Sequence, residues 1–193
     1  MVNALKEKAR ELLKNKQVDV IIGYKRAADG VFAAPCFVES ENEAEQLIWD
    51  AYCVYNLSGY LKDFWGKKVG IVAKACDVKS IIVLLQENQL KREEVFIIAV
   101  KCLGVINEKE LNASYKQGGE KIGFAAKCRD CASSAPLYYD ILIGEQEKKP
   151  EISQIEQDEY EPVRKLEAKS REERLKFWQN EFSLCIRCYA CRQ

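Results

Sequence analysis

Apolar residues recur along the first three quarters of the chain at two alternating periods, and that alternation predicts its architecture. Ala4, Leu5, Ala9, Leu12 and Leu13 share one face of a helix over residues 3–16. Residues 18–23 (Val-Asp-Val-Ile-Ile-Gly) then read as a strand and residues 30–38 as another, paired with it across a turn at Asp29-Gly30. From about Glu43 to Phe64 the positions Leu47, Ala51, Val54, Ser58 and Leu61 recur at three to four residues and predict a second helix. Residues 68–73 form a buried-type strand, and residues 77–89 form a helix with Val78, Ile81, Ile82 and Leu85 on one side. Residues 95–100 (Val-Phe-Ile-Ile-Ala-Val) are the strongest strand pattern, and residues 139–143 are a later one. Strands alternating with helices predict an α/β fold, a mostly parallel or mixed sheet with flanking helices.

The pattern breaks after Glu145. About half of the residues from Glu145 to Glu181 are charged, and Pro150 and Pro162 interrupt any helix there. Three parts follow: an α/β domain over 1–145, a charged linker over 146–169, and a C-terminal part over 170–193. The last opens with a charged helix, which Ser170 and Glu173 begin as a capping box.

Composition narrows the function classes. A chain of 193 residues with 48% apolar residues supports one packed domain and an appendage. Thirty basic and thirty acidic residues cancel, so no basic face points to nucleic acid. The N-terminus is an amphipathic helix pattern without a signal-peptide core, and no apolar run reaches bilayer length. The expectation is a cytoplasmic protein with no membrane span, whose thiols stay reduced and whose clustered cysteines bind metal. With no histidine, the commonest general base and any Ser-His or Cys-His nucleophile are absent. No catalytic residue is assigned.

The nine cysteines carry the chemistry. Cys185, Cys188 and Cys191 read CxxCxxC, the first three ligands of a ferredoxin-type cluster, whose fourth cysteine normally follows as xxxCP. The sequence stops two residues after Cys191, so the motif reads as truncated and the chain as cut short. Upstream, Cys76 follows the strand ending near Ala73, and Cys102 follows the strand ending at Val100. In a parallel sheet both emerge at the carboxyl edge, where such folds place ligands. With Cys128 and Cys131 of a CxxC loop they make four thiols, the complement of a 4Fe–4S cluster. Because that loop precedes the strand at 139–143, the strand must run antiparallel or the loop must cross back over the edge.

Lys74, Lys101, Lys127 and Arg129 flank these cysteines, and Arg187 and Arg192 flank the terminal ones. Cationic neighbours favour thiolate. Cys36 and Cys53, in a predicted strand and mid-helix, read as small core residues. Asp77 and Asp130 read as local hydrogen-bonding residues rather than acids. Four cysteines suit zinc as well as iron. The ferredoxin-type terminus, which a zinc site does not need, favours iron.

The stretches Ala75-Cys76-Asp77, Lys101-Cys102-Leu103-Gly104, and Cys128-Arg-Asp-Cys131 with Pro136 and residues 139–144 resemble the beta-subunit family of deazaflavin-coenzyme (coenzyme F-420) hydrogenases and dehydrogenases. The helix at 171–178 leading into the terminal cysteines is similar to iron–sulfur relatives that continue into a dicluster ferredoxin module. The likeness covers most of the chain from about residue 68 onward. It implies an internal 4Fe–4S cluster on Cys76, Cys102, Cys128 and Cys131. It also implies a second, incomplete site on Cys185, Cys188 and Cys191. Many members of the family hold flavin (FAD) and exchange electrons with the deazaflavin coenzyme. This chain has no GxGxxG, and Gly118-Gly119-Glu-Lys-Ile-Gly123 is no phosphate loop, so no residue is assigned to either. The function implied is an electron-transfer subunit of an oxidoreductase complex of hydrogenase, formate dehydrogenase or heterodisulfide-reductase type, with other oxidoreductase subunits as partners. The alternative is a zinc-stabilised α/β binding module without a redox role.

Overall fold

Strand β1 (Val20–Arg26) pairs antiparallel with β2 (Ala33–Val38) and parallel with β3 (Val69–Ala73). β4 (Val95–Val100) and β5 (Ile141–Ile143) continue in parallel, giving one mixed sheet in the order β2-β1-β3-β4-β5. The computed structural model describes residues 1–107, 123–129, 131, 133, 135–144 and 161–187, divided into the units Met1–Pro150 and Glu151–Gln193.

The central strands are apolar at successive positions because both faces of the sheet are covered. Val20, Ile22, Tyr24, Ile71 and Ile97 face helix α2 (Ala75–Gln86) and a 3₁₀ turn at Leu57–Phe64. Ile21, Val72, Ile98 and Val100 face helix α1 (Val2–Lys14), which buries Leu5, Ala9 and Leu12 completely. α1 ends where Lys16 turns left-handed (φ 53°). The Gln17 and Lys16 N–H groups then close on the carbonyls of Leu12 and Leu13 at 3.0 and 3.1 Å.

The helix predicted over 43–64 is not present. Two 3₁₀ turns, Asn42–Gln46 and Leu57–Phe64, flank an irregular segment that contains Cys53, so Cys53 is not mid-helix. The segment's backbone finds partners outside itself. The Ile48 N–H donates to the Tyr24 carbonyl at 2.8 Å, and the Ala51 carbonyl accepts from Ile106 at 3.0 Å. The apolar spacing there reflects an aromatic layer on the sheet, with Trp49 and Tyr52 packed on the core, rather than a helical face.

In the second unit, α4 (Glu161–Glu167) contains Pro162 in its first turn. A missing N–H costs nothing at that position, so the proline opens a helix instead of interrupting one. α5 (Arg171–Ser183) begins with the expected capping box. The Ser170 Oγ accepts from the Glu173 N–H at 3.2 Å, and the Glu173 carboxylate accepts from the Ser170 N–H at 2.9 Å. No helix among the described residues is long and apolar enough to cross a membrane.

Candidate metal centre

The site starts from strand register. Ala73 of β3 lies opposite Ala99 of β4, so Cys76 and Cys102, each three residues further on, leave the sheet at the same level. At that level β3 turns into α2. The Asp77 carboxylate accepts the Lys74 N–H at 2.9 Å, which fixes the start of the helix and sets Cys76 in its first turn.

Cys102 begins a loop that passes Gly104 at φ +124°, a conformation that favours glycine. A Cβ there would lie 2.9 Å from the Phe124 ring. Phe124 in turn bridges Ile106, and the Ala125 N–H donates to the Val105 carbonyl at 2.8 Å. This pairing brings the short helix α3 (Ala126–Arg129) back over the carboxyl edge, where the Val105 N–H points at Cys128 Sγ at 3.4 Å. The chain then returns to start β5 parallel to β4. Of the two routes open to the CxxC loop, the structure takes the crossing.

Cys76, Cys102, Cys128 and Cys131 thus line one cavity of about 100 Å³, whose wall also includes Lys74, Gly104 and Lys127. Among the described residues its lining offers four soft sulfur donors and no carboxylate. Among the described residues, no three cysteine or acidic side chains form a group that could hold a metal ion. In donor chemistry the set fits a thiolate-bound cluster.

At the cavity burial outweighs the flanking cations expected to favour thiolate, and the Cys76 and Cys102 thiols both end above their ordinary value. Burial pushes the Cys102 thiol up, and Cys128 and Cys76 add to that. The Gly104 N–H and the Lys74 charge pull it back. Cys76 sits at the rim, with much of its side chain in solvent. Partial burial and then the Asp77 carboxylate raise its thiol, against Lys74 and Lys127.

Lys74 is the residue whose place the sequence does not reveal. It is 3% exposed and forms an ion pair with fully buried Asp77 at 3.0 Å. Its Nζ also donates to Tyr24 Oη at 2.5 Å and to the carbonyls of Tyr55 and Cys53 at 2.7 and 3.2 Å. The rings of Tyr24 and Trp49 lie 5.0 and 5.8 Å from it. Tyr24 and Trp49 were not anticipated as part of the site. The available signal was a single polar-tipped residue, Tyr24, closing the buried row at 20–24.

Lys101 is buried too, and its carbonyl accepts the Trp49 indole N–H at 2.9 Å. Lys127 is exposed at the cavity wall, 3.4 Å from the Val54 carbonyl. Cys36 lies in β2, and both it and Cys53 are buried in the core away from the cavity lining. In the second unit, Cys185 follows α5 exposed, and its sulfur accepts the Arg187 N–H at 3.4 Å. Cys188 and Cys191 lie outside the described residues, as do Asp130, Gly118 and Gly119.

No protein-family model matches the chain. Over 98 residues, 50% of its length, it is 32% identical to the F420-dependent formate dehydrogenase subunit beta of Methanocaldococcus jannaschii, of which it covers 26%. It is 27% identical over 103 residues, 51% of its length, to the F420-dependent formate dehydrogenase 1 subunit beta of Methanococcus maripaludis, again covering 26% of that protein. The chain therefore spans about a quarter of the length of the curated relatives it matches. A solved structure of the xenon-derivatised F420-reducing NiFe hydrogenase complex from Methanosarcina barkeri superposes with a TM-score of 0.50. That match covers 57% of this chain and 41% of the other at 14% identity, a likeness of fold.

Proposed function

Taking the chain as a relative of the beta subunits of F420-dependent formate dehydrogenases, we propose that it is the iron–sulfur, electron-transferring part of an oxidoreductase subunit. Cys76, Cys102, Cys128 and Cys131 hold one 4Fe–4S cluster, and Cys185, Cys188 and Cys191 contribute three ligands to a second. Its partners are the catalytic subunits of a formate dehydrogenase or hydrogenase, and it works in the cytoplasm, where thiols stay reduced.

One observation carries the reading: four cysteines from a helix start, a strand end and a crossing loop line a single cavity. A 4Fe–4S cluster supplies storage for one electron at a time. The chain's own part is to offer four sulfurs on the sheet edge and to oppose their charge with Lys74 and Lys127. A zinc ion held by four sulfurs at roughly 2.3 Å would need them roughly 3.8 Å apart around one point. The shared cavity of about 100 Å³ leaves room among the four sulfurs for a polyatomic core as well as for a single ion.

Anaerobic purification followed by iron and acid-labile sulfide analysis tests the proposal. A brown protein with about four iron and four sulfide per internal site, bleached by Cys102→Ser and unaffected by Cys36→Ser, is the expected result. A colourless protein with stoichiometric zinc would establish the zinc-stabilised binding module in its place.

A further inference from the structure

We infer that Lys74 is the charge-setting residue of the four-cysteine site, and that Asp77 determines how much of the Lys74 charge reaches the sulfurs. The inference rests on the cluster reading above. A lysine buried to 3% exposure beside a fully buried aspartate is a costly way to join α2 to the sheet. Two charges removed from water cost several kcal/mol each before their attraction repays it, and apolar residues of similar volume often serve as well or better.

The pair is also built rather than incidental. Nζ donates to two carbonyls and the Tyr24 hydroxyl and is ion-paired with the carboxylate, so its charge is held in one place. Lys74 lies in the wall of the cavity, and its charge acts on both Cys76 and Cys102. Asp77, whose Oδ1 lies 4.0 Å from Cys76 Sγ, acts on it with the opposite sign.

Each electron added to a thiolate-bound site adds one negative charge. A fixed cation nearby favours that reduced state, and a fixed anion disfavours it. Lys74 and Asp77 are therefore opposed settings of one potential. Lys74 acts through its field at the sulfurs, and Asp77 acts on Cys76 Sγ from 4.0 Å; both are positioning residues.

The experiment reconstitutes the full chain anaerobically with ferrous iron and sulfide, then measures the midpoint potential by spectroelectrochemical titration at fixed pH. Lys74→Met is expected to shift the reduction equilibrium about tenfold toward the oxidised form, ~59 mV downward for one electron. Asp77→Asn keeps the shape of the side chain and an acceptor for the Lys74 N–H, and is expected to shift the potential upward. A purely structural role would move both variants the same way or neither, and would overturn the inference. Should Lys74→Met fail to fold, Asp77→Asn decides alone, since an unchanged or lowered potential sinks the idea. If the wild-type chain takes up no iron and sulfide, the cluster reading falls and this inference falls with it. If the cluster forms and both potentials stay put, only the inference is lost.

Discussion

The Arg92 guanidinium donates to Asp140 Oδ1 at 2.6 Å, joining the turn before β4 to the first residue before β5. Its other nitrogens reach Tyr138 Oη at 2.6 Å and the Val95 carbonyl at 2.5 Å, while Asp140 Oδ2 accepts the buried Ile97 N–H at 2.6 Å. Asp140 is thus the point at which the chain, having crossed the cavity, is returned to the sheet. Asp140→Ala leaves the Ile97 N–H without its acceptor and should cost about 1–3 kcal/mol. Urea unfolding monitored by circular dichroism reads this directly. A loss within ±0.5 kcal/mol would show that β5 is held by its ladder alone.

Gly104 should tolerate no side chain. Its φ of +124° and the Phe124 ring 2.9 Å from the site of a Cβ both oppose Gly104→Ala. The loop carrying Cys102 and the segment bearing Cys128 must then separate. Iron uptake on reconstitution should fall severalfold, while the thermal transition of the sheet moves little. Uptake equal to wild type would mean that the loop can adjust.

Alkaline pH should destabilise the fold through thiols outside the cavity. Burial pushes Cys36 from 9.0 up to about 11 and Cys53 up to about 12. Because folding raises these values, the stability they contribute is complete below pH 9. It is lost as pH rises through about 11 for Cys36 and about 12 for Cys53, at a slope of up to about 1.4 kcal/mol per pH unit for each thiol. Burial and then Asp77 push the Tyr24 hydroxyl in the same direction. Chemical denaturation between pH 8 and 10.5 should show the decline, and Cys36→Ala with Cys53→Ala should flatten its onset. A slope unchanged in the double variant would assign the effect elsewhere.

Leu12→Ala removes a fully buried side chain from the layer between α1 and the sheet. A cost of about 2–5 kcal/mol is expected, with the spread set by how far α1 can settle. A shift in the urea midpoint at constant slope reads it. A cost below 1 kcal/mol would indicate that α1 packs loosely.

The elements with a strict period were legible in the sequence: α1, the hairpin β1–β2, β3, α2 and β4 all appear within two or three residues of their predicted bounds. Residues 43–64 misled because the aromatic and apolar groups at Trp49, Tyr52 and Leu57 cover a sheet face from an irregular backbone whose hydrogen bonds go to Tyr24 and Ile106. No local pattern records such a partner. The four cavity cysteines were legible because each stands beside a strand end or in a CxxC. Lys74 was visible only as a cation next to a cysteine. Its burial depends on Tyr24, Tyr55 and Cys53, which are remote in sequence and come together only when β1 and β3 pair.

Trp49, whose indole donates to the carbonyl just before Cys102 and whose ring lies 5.8 Å from Lys74 Nζ, gives the protein an optical gauge of its own. Of the three tryptophans, Trp65 is largely in solvent and Trp178 belongs to the second unit. Emission from Trp49 therefore reports on the wall of the cavity. A visible-absorbing group held there would quench that emission, and its release would restore it. With Trp65 and Trp178 replaced by Phe, filling and emptying could be followed in real time without an added dye.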